Sequence, residues 1–195
     1  MMNRKRIIVP LFLLCLLIAM KATSQTQYYT VFQLGGQFGV SNSGYDGAFN
    51  GYATHFVFGL NLQDRAYVGI GLGNETFRGS YQSKEINRAG NSPRFNYDTY
   101  LMPIFLDGRA PIFYVNNYSW IGVIGNAGYA PRIGPVYDRG FLFRGGLSYV
   151  YETMSSKNYT VSLSYGYQQL HRNAHDFKKP FQHQHLNLTV GLMLK

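Results

Sequence analysis

From residue 26 onward the chain alternates. Near its end Leu186, Leu188, Val190, Leu192 and Leu194 share one parity, and His185, Asn187, Thr189, Gly191 and Met193 share the other. Successive side chains of an extended segment point to opposite faces, so this period of two predicts a strand with one aliphatic and one smaller or polar face. Residues 159–168 repeat the pattern: Tyr159, Val161, Leu163, Tyr165 and Tyr167 oppose Thr160, Ser162, Ser164, Gly166 and Gln168. Earlier stretches do the same. Phe32, Leu34, Phe38 and Val40 oppose Gln33, Gly35, Gln37 and Gly39; Phe56, Phe58, Leu60 and Leu62 oppose Ala53, His55, Val57, Gly59 and Asn61. Val68, Ile70 and Leu72 oppose Tyr67, Gly69, Gly71, Gly73 and Glu75, and Phe141, Phe143, Leu147, Tyr149 and Tyr151 oppose Arg144, Gly146, Ser148 and Glu152.

Eight strands are predicted, over residues 28–40, 52–62, 66–79, 97–107, 119–130, 141–152, 159–168 and 184–195. Each is long enough for a tilted membrane-crossing strand of about 9–11 residues with some overhang. The fourth has apolar residues on both parities and is interrupted by Pro103, which lacks a ladder donor and belongs at an edge or bulge. Connections 41–50, 80–96, 131–140 and 171–183 are rich in polar residues and mostly longer than the turns at 63–65 and 153–158, with the Pro111-containing connection 108–118 as the exception. Long loops at one end and short turns at the other are the habit of an outer-membrane barrel.

A soluble barrel alternates too, and the polar face separates the two. Facing water, it would carry many Lys and Glu; here it is Gly, Ser, Thr, Gln and Asn with isolated His55, Glu75, Arg144 and Glu152. That set suits a narrow lumen whose side chains hydrogen-bond one another. Tyr28, Tyr29, Tyr52, Tyr97, Tyr149, Tyr151 and Tyr159 stand at strand ends, as interfacial aromatic girdles do. Backbone groups in lipid need partners, so the sheet must close. The expected fold is therefore all-β: an eight-stranded antiparallel up-and-down transmembrane β-barrel spanning residues 25–195.

The first 24 residues read differently. A basic start with Arg4, Lys5 and Arg6 precedes an apolar run from Ile7 to Met20, and Ala22 and Ser24 supply small residues before a cleavage point ahead of Gln25. This is a signal peptide over residues 1–24, the apolar run falling short of the roughly 17–25 residues of a spanning helix. Export to the cell outer membrane follows. The single cysteine, Cys15, lies inside this leader, so the remainder offers no disulfide, thiolate metal site or cysteine nucleophile.

Only 14% of residues are charged, against about a quarter in ordinary soluble domains. The formal charge is +9, but Arg4, Lys5, Arg6 and Lys21 belong to the leader and no acid does. The remainder is mildly basic and aromatic, which excludes a nucleic-acid partner in the absence of any recognition motif.

Candidate chemistry is sparse. Glu75, Arg144 and Glu152 form an expected interior charge cluster; a charge in a narrow lumen must be paired, and pairing Arg144 with Glu75 or another acid would make a plug. Eight strands leave an interior that side chains fill, so no solute pore is expected. His171, His175, His183 and His185 lie within fifteen residues but span a loop and a strand start with no fixed ligand spacing, and neither metal nor cofactor is expected. Lys84, Arg88, Arg94, Arg132, Arg139, Arg172, Lys178 and Lys179 form a basic set on the long loops, suited to lipopolysaccharide phosphates.

The alternation, the leader, and the segments Ile70-Gly-Leu-Gly-Asn-Glu-Thr-Phe77 and Leu101-Met-Pro-Ile-Phe-Leu-Asp-Gly-Arg109 resemble the small OmpA/OmpX-like outer-membrane barrels of Gram-negative bacteria. The resemblance implies a structural, adhesive or surface-interaction protein without catalysis. Its expected partners are outer-membrane lipid, lipopolysaccharide and the barrel assembly machinery, and it is expected to be a monomer. Barrels of that group end in an aromatic residue, where this sequence has Leu194 and Lys195. The alternative is a lipid A-modifying enzyme. Leu170-His171-Arg172-Asn173-Ala174 resembles the His-x-Ser-Asn motif of lipid A deacylase barrels, but Asn173 stands where the nucleophilic serine would be.

Overall fold

The computed structural model describes residues 26–43, 45–83, 94–154, 156–171 and 180–195. The predicted leader lies outside them. The described residues form ten strands in order: β1 (Thr26–Asn42), β2 (Tyr45–Asp46), β3 (Gly51–Leu62), β4 (Ala66–Ser83), β5 (Arg94–Leu101), β6 (Ile104–Asn116), β7 (Ser119–Ala130), β8 (Gly140–Tyr151), β9 (Lys157–Leu170) and β10 (Phe181–Leu194). All strand pairings are antiparallel, the long strands following one another around the sheet except that β5 and β6 both pair with β4, and β1 pairs with both β3 and β10. That last pairing, running from Thr30↔Leu194 to Asn42↔His183, closes the sheet into a ring.

The ring has eight positions because β5 and β6 share one. β5 pairs with the upper part of β4 (Glu75↔Leu101) and β6 with the lower part (Leu72↔Ile104), while Met102 and Pro103 interrupt the run. Pro103 has no N–H to give, yet its carbonyl still accepts from the Gly73 amide at 2.9 Å. β2 is a two-residue strip between β1 and β4.

Strand bounds differ from expectation most at this break. The stretch 108–118, read as a connection, is strand as far as Asn116, and the turn is only Asn117 and Tyr118. Pro111 misled the reading: it is absorbed at a register shift between Pro111 and Phe113. With this correction the three turns at one rim are all short. β4 likewise runs on to Ser83, and Arg94, expected in a loop, opens β5.

The greasy parity faces outward on every ring strand except β5, where Arg94, Asn96 and Asp98 are exposed and Tyr97 and Leu101 are buried. Leu188 is 48% exposed, Ile70 61% and Leu106 62%, whereas Val31, Val57 and Met193 are fully buried. A belt of outward Leu, Ile, Val and Phe around a closed ladder leaves no backbone edge in the belt, as lipid requires. Glycine lets the lumen be this narrow. A Cβ on Gly71 would stand 2.2 Å from the Phe105 ring, so only a hydrogen fits there.

The lumen is not the uniformly polar filling expected. Tyr29, Tyr67, Phe105, Trp120, Val150 and Met193 pack in its lower part, toward the short-turn rim. Tyr45, Phe49, Phe77, Tyr81, Tyr97 and Phe181 pack in its upper part. Tyr29 and Tyr97, expected in the girdles, are therefore lumen residues, while Tyr28, Tyr52, Tyr149, Tyr151 and Tyr159 are exposed.

Candidate functional site

Between the two aromatic layers lie the charges. On β4 the parity that points Tyr67 and Phe77 inward also points Glu75 inward, and on β8 the parity of Leu142 and Ser148 carries Arg144. The two meet across the barrel. Arg144 Nη2 donates to Glu75 Oε1 at 2.5 Å, and Gln37 Nε2 donates to Glu75 Oε2 at 3.0 Å. His55 Nε2 sits 2.8 Å from Glu75 Oε1 and 3.1 Å from Arg144 Nη1. That nitrogen serves one of them at a time: it donates to the carboxylate when protonated and accepts from the guanidinium when not.

A second ion pair occupies the next layer down. Arg109 grips Asp107 with two parallel bonds, Nε to Oδ2 at 2.8 Å and Nη2 to Oδ1 at 3.1 Å. Asn126 Nδ2 (2.8 Å) and Tyr29 OH (3.3 Å) also donate to Asp107, and Gln33 Oε1 accepts from Arg109 Nη2 at 3.1 Å. Two-point contact is the geometry that makes Arg–carboxylate pairs strong when dry. Sequence reading missed this pair because residue 109 fell in the supposed connection. The signal was present: after Pro103, Phe105, Asp107 and Arg109 share one parity and Ile104 and Leu106 the other.

The opposite wall is lined by shorter side chains. Thr160 and Ser162 on β9, and His185 and Asn187 on β10, turn buried polar atoms into the lumen with no partner among the described residues. The charged groups of the two ion pairs thus come from β4, β6 and β8, while the lumen's spare hydrogen-bonding capacity is shared among β9, β10 and strands elsewhere in the ring, such as β1 with Gln33 and Gln37.

Glu152 does not belong to the interior cluster. It lies at the short-turn rim, where its Oε1 accepts from Lys195 Nζ at 2.5 Å and from Trp120 Nε1 at 3.1 Å. The strand alternation carries it inward in principle, but β8 ends at Tyr151, one residue earlier. Lys195 Nζ also donates to Asp64 Oδ1 at 2.8 Å, so one ammonium ties the β3–β4 turn to the end of β8. Burial pushes the Asp64 carboxyl up, but hydrogen bonds from Lys195, Tyr67 and Asn61 more than offset this and hold it below its ordinary value. The unfolded chain therefore binds more protons than the folded one between those two values. The contribution of Asp64 is complete above the ordinary aspartate range and lost as pH falls through the lowered one. Replacing Lys195 with Met should flatten the acid limb of an unfolding-versus-pH curve; an unchanged limb would exclude Lys195 as its cause.

The histidines separate. His183 and His185, expected as incidental loop or strand-start residues, are buried in β10 with rings 5.2 Å apart, and both pack edge-on to Phe77. His171 stands just above β9; its amide donates to Asp138 Oδ2 at 2.7 Å and its Nδ1 lies 3.0 Å from the Arg139 carbonyl. It is occupied in holding the 131–139 connection. His175 and Asn173 lie outside the described residues, as do Lys84, Arg88, Arg172, Lys178 and Lys179. Of the basic set the remaining three, Arg94, Arg132 and Arg139, are exposed at the long-loop rim, Arg94 bonded to Ser80 Oγ at 2.8 Å. No group of three or more metal-ligating side chains occurs among the described residues.

No protein-family model matches the sequence, and no curated protein matches it. Among solved structures the chain is similar to Neisserial surface protein A (NspA), with TM-score 0.54 and 11% identity, covering 88% of this chain and 99% of that one. The beta domain of the Bordetella autotransporter BrkA is matched with TM-score 0.32 and 10% identity, over 87% of this chain and 98% of that one. The likeness to NspA is one of fold, that of an eight-stranded antiparallel barrel.

Proposed function

We propose that this chain is an exported, monomeric barrel of the outer membrane with a structural or surface-interaction role and no catalytic one, inserted by the barrel assembly machinery. The observation that carries the reading is the filled lumen. Aromatic layers above and below two buried ion pairs leave the outer surface as the place where the protein meets anything. The OmpA/OmpX-like sequence resemblance points the same way.

The partner best suited to the long-loop rim is lipopolysaccharide. Arg132 and Arg139 are exposed in a connection that leaves β7 beside Tyr129 and enters β8 beside Phe141, two outward aromatics 5.0 Å apart. Guanidinium groups just above an aromatic band are placed for headgroup phosphates. The test has two arms on the protein purified from outer membranes. Planar bilayers should show no ion steps, and regular steps would sink the sealed reading. Lipopolysaccharide should co-purify and fall several-fold in the Arg132→Gln/Arg139→Gln variant; equal retention would remove this rim as its site.

A further inference from the structure

Each buried ion pair is bonded to one glutamine of β1. Gln33 Oε1 accepts from Arg109 Nη2 at 3.1 Å, and Gln37 Nε2 donates to Glu75 Oε2 at 3.0 Å. The other amide atom of each, Gln33 Nε2 and Gln37 Oε1, is buried with no partner among the described residues. Across the seam where β1 meets β10, Gln37 stands opposite Asn187 and Gln33 opposite Gly191. Asn187 leaves both amide atoms unmatched, and His185, the next inward position above it, leaves both ring nitrogens.

The unmatched atoms continue onto the next two strands. Gly191 is paired with Thr160, and Ser162 with Ser148; all three hydroxyls lack partners too. A Cβ on Gly191 would stand 2.7 Å from Gln33 Cγ and 2.9 Å from Thr160 Oγ1, so these two side chains meet over a residue that has none. A Cβ on Gly166 would likewise stand 2.6 Å from His185 Nε2 and 3.1 Å from Asn187 Nδ2. The partner of Gly166 on β8 is Arg144, whose Nε is also unmatched. These atoms therefore form one connected patch around the seam.

None of the Gln, Asn, His, Ser and Thr side chains in the patch belongs to a residue more than 3% exposed, so bulk solvent does not serve them. Buried polar groups in folded proteins are paired as a rule, with protein or with bound water. Successive inward positions of a strand are about 6.5 Å apart. Side chains as short as Ser, Thr and Asn do not close that distance directly, whereas two bonds of about 2.8 Å through one oxygen do. Charge selects the occupant. The Glu75–Arg144 and Asp107–Arg109 pairs cancel, so an ion beside them would bring a charge with nothing to balance it. The patch offers donors such as Gln33 Nε2 and Arg144 Nε together with acceptors such as Gln37 Oε1 and Asn187 Oδ1, which suits a small neutral molecule that both donates and accepts.

We propose that a cluster of bound waters lies against this patch, bridging the seam from Gln33 and Gln37 to β9 and β10 and completing the hydrogen bonds of both ion pairs. Among the described residues, side-chain hydrogen bonds cross the seam directly only near its top, from Ser41 to Gln184 and between Asn42 and His183. Below them the waters supply the side-chain link between the first strand and the last. This goes beyond the surface role proposed above: the cluster is enclosed between the two aromatic layers and holds the ring shut from inside.

The test reads hydration and stability together. Water-edited solid-state NMR on the isotope-labelled protein in phosphatidylglycerol vesicles measures how fast magnetisation passes from water to each group. The side-chain amides of Gln33 and Asn187 should build up several-fold faster than the methyls of Val31 and Met193 in the lower apolar layer. Thr160→Val and Ser162→Ala each remove one hydroxyl without adding bulk. A hydroxyl bonded to water is lost at a cost, so each variant should lower the folding equilibrium constant in urea titrations by about threefold to tenfold, whereas removing a dry, unmatched hydroxyl would raise it. Unchanged or strengthened variants would mean a dry patch. Slow build-up with weakened variants would place a different small polar molecule there, and build-up as fast at Met193 as at Asn187 would mean an open, solvent-filled lumen; each of these results overturns the enclosed cluster. Should one variant not fold, the other is read alone.

Discussion

Glu75→Leu should destabilise the folded barrel by about 3–5 kcal/mol, the usual cost of removing one partner from a buried ion pair. Arg144 and Glu75 are 2% and 0% exposed at the side chain, so neither reaches bulk water when its partner is lost. A guanidinium does not escape by losing its proton, which makes removal of the acid worse than removal of the base. Arg144→Met should therefore cost less, because His55 and Gln37 still hold the Glu75 carboxyl. The double variant Glu75→Leu/Arg144→Met should recover much of the loss, since two apolar side chains leave no orphaned charge. Urea unfolding from lipid vesicles, with the temperature at which the folded band disappears, measures all three. Single and double variants of equal stability would mean that the pair is not the electrostatic centre of the lumen.

Val190→Arg should cost about 2–4 kcal/mol in a bilayer, the range for a cation on the lipid face near the membrane midplane. Val190 lies at the centre of the outward row Leu186 to Leu194 and is 56% exposed. On a soluble barrel such an exposed position would accept arginine within about 0.5 kcal/mol. The substitution thus tests the solvent around the belt directly: refolding yield and unfolding free energy in vesicles should both fall. A variant as stable as the parent would place water, not acyl chains, against Leu188 and Val190.

How much of this was legible follows from what alternation encodes. A period of two is a local property of an extended chain, and a buried or lipid-facing parity leaves a compositional trace at each position. Six of the eight predicted strands, 28–40, 52–62, 119–130, 141–152, 159–168 and 184–195, lie within about three residues of the observed bounds for that reason. Where two local signals competed, the reading failed. Pro103 and Pro111 are breakers by chemistry, but one sits at the β5–β6 junction and the other at a register shift beside β7, and both are tolerated because a neighbouring strand carries the ladder past them. Taking Pro111 as the end of a strand hid Arg109, and with it the second ion pair.

By itself the sequence determined the sheet, the side of it that is greasy, and the charges that had to find partners inside, because each is written residue by residue in parity and side-chain type. Only the tertiary structure decided which strands face each other across the lumen. Nothing local to residues 75 and 144 says that they meet, that Glu152 falls at the rim beside Lys195 instead, or that inward tyrosines and phenylalanines gather into two layers. Those follow from ring closure and strand stagger, which are properties of all eight positions together and of no single segment.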